Sequence, residues 1–266
     1  MGKSMDRRRA ALNDPLDYGA IEALLTASHG APFDVLGRHV TTLSGQRVTI
    51  VRAFIPSASA VSVVPQALPP DETPDKAIPM KRLRPEGLFS VTLPGTPFTD
   101  YLLEVQREGG ATTRIADPYS FPPLIGDYDL HLIGEGNHHV LYEQFGAHPQ
   151  RMHGVDGVGF AVWAPNARRV SVVGDFNHWD DRTHPMRMRS NGVWELFIPG
   201  VTIGALYKYA VLSWSQGFRA LKADPFAFTA ELRPGTASRV WDLGGYEWGD
   251  DTWLRERERA NAPDAP

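Results

Sequence analysis

VRAFIPSASAVSVV (Val51–Val64) and GFAVWAPNARRVSVV (Gly159–Val173) are two versions of one stretch, and their agreement decides the fold. At a shift of 109 residues Phe54 falls on Trp163 and Pro56 on Pro165, while Val61, Ser62, Val63 and Val64 fall on Val170, Ser171, Val172 and Val173. The correspondence continues outward in the same order. GLFSVTLPG (Gly87–Gly95) aligns with GVWELFIPG (Gly192–Gly200) at 105, Tyr101 with Tyr207 at 106, and DPYSF (Asp117–Phe121) with DPFAF (Asp224–Phe228) at 107. FDVLGRH (Phe33–His39) is similar to YEQFGAH (Tyr142–His148) at 109. Blocks that keep one order while their shift drifts by a few residues mark a tandem duplication with small loop insertions and deletions.

Each copy is about 100 residues of short alternating strands separated by Pro and Gly, the size and pattern of an immunoglobulin-like sandwich. The expected fold is all-β: two tandem immunoglobulin-like β-sandwiches over 14–118 and 150–243. Copy one is expected to bury Phe54, Val61, Val63, Leu88 and Val91, and copy two Phe160, Val162, Val170, Val172, Trp194 and Leu196. Trp163 and Trp194, on alternating strands with apolar neighbours, read as core. A short N-terminal helix is expected over Asp17–His29, stopped by Gly30 and Pro32. Gln66–Met80, rich in Pro and charge, reads as a long loop. The bridge, 119–149, carries Leu124, Ile125, Leu130, Leu132 and Ile133 and is expected to be ordered, with a strand at Tyr128–Ile133. In the last segment, 244–266, Thr252–Asn261 reads as a charged linker helix, capped by Asp250 or Asp251 and stopped by Pro263.

The chain has 266 residues, enough for one large or two modest domains. Its 27 Lys and Arg against 31 Asp and Glu leave no basic excess to neutralise phosphates, so no nucleic-acid partner is expected. The absence of cysteine removes disulfides, iron–sulfur clusters and thiolate chemistry. Met1–Asn13 is basic but no apolar h-region follows, and no apolar run is long enough to span a membrane. A soluble, cytoplasmic protein without a membrane partner is the default expectation.

No catalytic residue, metal site or cofactor is expected. The nine histidines include the pair His138-His139, which reads as a turn with solvent-facing imidazoles, and none has the spacing of a zinc motif. There is no Gly-rich phosphate loop and no G-x-S-x-G elbow. Asp156, Asp175, Asp180 and Asp181 lie near one another, but glycosidic acid–base chemistry needs a deep cleft and a strict carboxylate separation. The feature above background is GDFNHWDD (Gly174–Asp181), directly after the strand Arg169–Val173. Trp179 at a polar turn, beside Asn177, has the makings of a sugar surface: the indole stacks on the apolar face of a pyranose while amides and ammonium groups take the hydroxyls. Lys208 in LYKYAV would supply such a donor, and Trp214 and Phe218 in the loop SWSQGFR (Ser213–Arg219) are candidates for the same face. Packing of Trp179 between domains, or against a further domain, is the competing reading. Copy one has Pro65–Pro69 in place of that turn, with no aromatic, and is expected not to bind sugar.

These residues carry a family resemblance. GVGFAVWAPNARRVSVVGDFNHWDDRTHPMRMRSNGVWELFIPG (Gly157–Gly200), GALYKY (Gly204–Tyr209), LKADPFAF (Leu221–Phe228) and LRPGTAS (Leu232–Ser238) resemble the second amino-terminal module of bacterial glycogen (1,4-alpha-glucan) branching enzymes, a family 48 carbohydrate-binding module. Asp117–His148 is similar to the junction of that family's two amino-terminal modules, and the first copy resembles its more variable leading module. The resemblance implies two β-sandwiches that precede a catalytic (β/α)8 barrel. That barrel cleaves an α-1,4 linkage through a covalent glucosyl intermediate and transfers the chain to a 6-hydroxyl. It implies glycogen or α-1,4-glucan chains and the catalytic barrel as partners, and a chain that is itself non-catalytic and stops at Asn261–Pro266, where the first barrel strand would begin. The second copy also resembles the glycogen-binding module of the AMP-activated kinase β subunit, which places a stacking tryptophan on Trp179, beside Asn177, and a strand lysine on Lys208. The second stacking tryptophan of that module falls near Leu221, which is aliphatic here.

Overall fold

Residues 14–66, 77–215, 217–245 and 247–261 are described by a computed structural model. The middle of the Gln66–Met80 loop, most of Pro65–Pro69, and Pro263 lie outside the described residues. Copy one opens with helix α1 (Tyr18–Leu25), whose N-cap Asp17 accepts a hydrogen bond from the Ala20 amide. Its strands are β1 (Gly37–Leu43), β2 (Gln46–Phe54), β3 (Ala58–Pro65), β4 (Ile78–Pro79), β5 (Lys81–Arg84), β6 (Leu88–Pro94), β7 (Tyr101–Arg107) and β8 (Thr112–Ala116). They form two antiparallel sheets in the orders β1-β2-β6-β5 and β4-β3-β7-β8.

Copy two repeats the plan. Helix α2 (Asp127–Glu135) precedes β9 (Gly146–Met152), β10 (Val155–Trp163), β11 (Ala167–Gly174), β12 (Arg187–Met188), β13 (Val193–Pro199), β14 (Leu206–Ser213), β15 (Arg219–Lys222), β16 (Thr229–Ala230) and β17 (Ser238–Arg239). One sheet runs β12-β13-β10-β9 and the other β11-β14-β17-β16, with β15 also paired to β14. A final helix, α3 (Asp251–Ala260), is solvent-facing throughout.

The duplication extends to individual hydrogen bonds. The Tyr101 hydroxyl donates to Asp117 at 2.6 Å, and the Tyr207 hydroxyl donates to Asp224 at 2.6 Å. Each aspartate also accepts from a backbone amide two residues on, Tyr119 in one copy and Phe226 in the other. His39 and His148 each pair a ring nitrogen with a carbonyl three residues back, at 3.0 Å. Gly87 and Gly192 sit at matched close approaches: both have left-handed φ, and a Cβ on either would lie 2.5 Å from the backbone of Ile55 or Pro165. Only glycine satisfies both constraints. Burial of Asp117 pushes its carboxyl up to about 6, and burial raises Asp224 as well, so both pairs sit in a medium that disfavours charge.

The cores correct three expectations. Val61, Val63 and Val91 do pack in the first sandwich, around Val51, Ala53, Phe89 and Leu103. Phe54 and Leu88 instead lie on the outer side of that sheet, with Ile21 and Leu24 of α1 and with Val35 and Leu36. Strand β2 is buried from Val48 to Phe54 because helix covers the face that a two-layer sandwich leaves wet, so alternation loses its meaning there. In the second copy Phe160, Val162, Val170, Val172, Trp194 and Leu196 do form one core. Trp163 does not join it. It is 56% exposed, because the β10 alternation that buries Phe160 and Val162 aims residue 163 at the outer face, at the very end of the strand.

Tyr128–Ile133 is helix, not strand. It is the core of α2, which covers the outer face of β10 and β13 through Leu130 and Ile133, as α1 covers copy one. His138 is buried against Asp129 rather than facing solvent. Helix α1 stops at Leu25, before Gly30: the Thr26 hydroxyl caps the Glu22 carbonyl and Ala27 turns left-handed. Gly30 has another task, since a Cβ there would lie 2.9 Å from the Arg168 carbonyl of the second copy. The Arg187 guanidinium lies 3.8 Å from the Phe33 ring centroid, and Arg219 donates to the Thr26 carbonyl at 2.8 Å, so the copies touch through named contacts.

Candidate functional site: the turn after β11 and the strand beside it

After β11 the chain makes a single 3-10 turn, Asp175–Asn177, and then places His178 and Trp179 in succession at φ of 56° and 60°. Two adjacent non-glycine residues in the left-handed region are costly and need local support. Asn177 provides it. Its side-chain carbonyl accepts from the Gly174 amide at 2.9 Å, and its Nδ2 donates to the Val172 carbonyl at 2.9 Å and to His184 Nδ1 at 2.8 Å. His184 is enclosed, and burial holds its imidazole down at about 4, so the ring is neutral and Nδ1 is free to accept. The Trp179 amide closes the turn on the Gly174 carbonyl at 3.0 Å, and its indole Nε1 donates to Asp175 at 3.2 Å. The ring is thereby fixed while remaining 37% exposed.

The register places Lys208 opposite Val173 and Tyr207 opposite Gly174, so Lys208 lies on the strand adjoining this turn. Its Nζ donates to the Thr236 hydroxyl at 2.6 Å. On the same face of β14, two residues along, Ala210 pairs with Leu221 of β15, which is 55% exposed. A shallow groove of about 210 Å³ continues there between Arg169, Asp181, Arg219 and Leu221. Burial lowers the Arg169 guanidinium to about 10, and its Nη2 donates to the Asp181 carbonyl.

Lys208 thus sits on the strand beside the end of β11 that leads into the Trp179 turn. Asn177 lies beneath the turn, only 6% exposed, with its amide taken by Gly174, Val172 and His184. Trp214 and Phe218, 68% and 63% exposed, sit at the other end of the sheet, where Ala167 pairs with Ser213. Seven residue steps of β11 separate the two ends, roughly 23 Å at about 3.3 Å per residue. The Arg168 guanidinium lies 5.5 Å from the Trp214 ring. The sequence reading passed over Thr236 and His184. Thr236 is signalled only by long-range strand pairing, and His184 only by burial.

None of the carboxylates near the turn is paired with another. Asp180 holds Arg182, Asp181 faces Arg219, Asp175 holds the indole and Asp156 faces Arg151. Burial works to raise Asp180, but its hydrogen bonds to Arg182 outweigh that and leave it lowered. Among the described residues no cluster of metal-ligating side chains occurs, no (β/α)8 barrel forms, and no helix is long and apolar enough to cross a membrane.

Residues 144–227, which carry this turn, match carbohydrate-binding module 48 (isoamylase N-terminal domain), and residues 17–119 match the N-terminal domain of the alpha-1,4-glucan branching enzyme GlgB. This chain matches the amino-terminal region of the bacterial GlgB family. Proteins bearing the name 1,4-alpha-glucan branching enzyme GlgB are similar along nearly all of it. That of Rubrobacter xylanophilus is 52% identical over 93% of this chain and 32% of its own length. Those of Rhodospirillum rubrum (48%; 95% and 34%) and Thermosynechococcus vestitus (45%; 92% and 31%) agree. The chain thus spans about a third of the length of these GlgB relatives.

Proposed function

We propose that this chain is a glucan-guiding segment of a cytoplasmic 1,4-alpha-glucan branching enzyme. In this reading it holds α-1,4-glucan chains near a catalytic barrel elsewhere in the longer protein, which transfers them to 6-hydroxyls during glycogen synthesis. The observation that carries the reading is the Trp179 turn. A large indole is kept on the surface by hydrogen bonds that bury Asn177 and His184 beneath it, with an ammonium group on the neighbouring strand. The indole would stack on a pyranose and Lys208 would donate to a hydroxyl, with Asn177 positioning the ring. If stacking is worth about 1–3 kcal/mol, by analogy with bases on aromatic side chains, one platform gives millimolar affinity at best. Retention on glycogen would then come from many chain ends. Trp214 and Phe218, at the far end of the sheet, would contact only a longer chain.

A second reading has a specific observation behind it. Trp241, Leu243, Trp248 and Trp253 are all exposed along the last part of the chain, as a surface for a further domain would be. Affinity electrophoresis with and without glycogen separates the two. Retardation of the parent that weakens in Trp179→Ala supports glucan guiding by this turn, whereas no retardation of either protein leaves packing against the barrel as the role.

A further inference from the structure

The exposed Trp163 lies on the other sheet of the second sandwich from Trp179, and its surroundings are not those of a stray surface residue. Its Nε1 donates to the Asn191 carbonyl at 2.8 Å, and the Asn191 side chain is itself tied to the Leu130 carbonyl at 3.0 Å. The indole is therefore both solvent-facing and immobilised. Such a surface loses little side-chain freedom when something binds to it. It borders a cleft of about 320 Å³ between the end of α2 and the 3-10 turn Leu141–Glu143, with Ile133, Leu141, Phe145 and Phe226 as apolar walls. That volume is at the lower end of the ~300–1,000 Å³ usual for small-molecule sites.

One polar group in the cleft is unmatched. His138 is more than nine-tenths buried, and its Nε2 lies 3.1 Å from Asp129 Oδ1. A carboxylate oxygen only accepts, so Nε2 carries a proton towards Asp129 and Nδ1 is the ring nitrogen left to find another partner. Nδ1 has no partner among the described residues. Burying a ring nitrogen without a hydrogen-bond partner is costly, and native structures avoid it unless something fills the place. A purely apolar occupant would leave Nδ1 unpaired, whereas a hydroxyl, which both donates and accepts, pairs with it whether or not Nδ1 carries a proton. A ring with one apolar face and hydroxyls at its rim satisfies both the indole and the imidazole.

We infer that the cleft beside Trp163 is a second pyranose subsite. It takes one glucose unit of an α-glucan with its apolar face on the indole and a hydroxyl hydrogen-bonded to His138 Nδ1. The identity of the sugar rests on the glucan reading above; the location and the two contacts do not. Two weak sites on opposite sheets would let one module hold two chains, or two parts of one, and raise retention on a polymer without either being tight.

The 266-residue chain labelled with 5-fluorotryptophan tests this by fluorine NMR, with resonances assigned through Trp163→Phe and Trp179→Phe. Maltoheptaose is expected to shift the Trp163 signal in the parent and equally in Trp179→Ala. His138→Ala should raise the dissociation constant read at Trp163 at least fivefold and leave that read at Trp179 unchanged. Acyclic sorbitol should not reproduce the shift. In case His138→Ala disturbs folding, Trp163→Leu in the Trp179→Ala background keeps the apolar cover and should reduce the remaining retardation in glycogen gels. A Trp179 signal that moves while Trp163 stays still overturns this inference and spares the glucan reading. Silence at both positions overturns both, and an equal response to sorbitol overturns the pyranose assignment.

Discussion

Replacing Asn177 by Ala separates a residue that touches sugar from one that builds the surface that does. The side chain makes one hydrogen bond as acceptor, from Gly174, and two as donor, to Val172 and His184. At a net value of about 1 kcal/mol each, and with buried partners left behind, the loss is about 3 kcal/mol. It falls on the segment that must keep His178 and Trp179 left-handed. Asn177→Asp retains the acceptor for Gly174 but not the two donations, and should fall between Ala and the parent. Urea unfolding at neutral pH reads the stability, and hydrogen exchange at the Gly174 amide reads the turn itself. Glycogen retardation should weaken in step with Gly174 protection across the three proteins. A stability loss below about 1 kcal/mol, or retardation abolished in a chain whose Gly174 amide stays protected, would refute the reasoning and make Asn177 a direct sugar contact.

Further outcomes follow from the buried groups. His184, held from 6.5 down to about 4, contributes ~3 kcal/mol that is fully present above pH 6.5 and lost as pH falls through 4. Asp117, raised from 3.8 to about 6, has the opposite sign, with a burden of ~3 kcal/mol above pH 6 that is relieved towards 3.8. The stability of His184→Gln minus that of the parent should therefore rise between pH 7 and 4.5, and that of Asp117→Asn should fall; parallel profiles would contradict both. Tyr101→Phe should cost more than Tyr207→Phe, about 2–3 against about 1 kcal/mol by denaturant unfolding, because Asp224 keeps a bond from Tyr209 while Oδ2 of Asp117 has no second partner among the described residues. Trp214→Ala should leave maltotriose titration of the Trp179 signal unchanged, since the two rings stand at opposite ends of β11.

The duplication was legible because both copies keep the residues that the fold cannot replace. The glycines at close approaches, the Tyr–Asp pairs and the alternating valines recur at nearly constant shifts. Phe54 was assigned to the wrong layer for a physical reason: a strand covered on both sides shows no alternation to read. The helix Asp127–Glu135 is legible only when the duplication is carried back into the helix expected over Asp17–His29, since a shift of 109 sets Tyr18 on Asp127. Its apolar residues Leu130 and Ile133 are three apart, the spacing of a helix face. Trp179 was visible as an aromatic at a polar turn. The inward course of Asn177 was not, because it depends on His184, brought beneath the turn by folding rather than by sequence spacing. Trp163 misled for the same reason in reverse, since its exposure depends on where the cover of α2 ends.

The central claim is that Trp179 and Lys208 form an α-glucan platform, and a crystal structure of the chain with maltoheptaose tests it most directly. The account predicts a glucose ring lying flat on the Trp179 indole with a hydroxyl within hydrogen-bonding distance of Lys208 Nζ. An uncovered Trp179 in a crystal where that face is open to solvent and the sugar is bound elsewhere would contradict it.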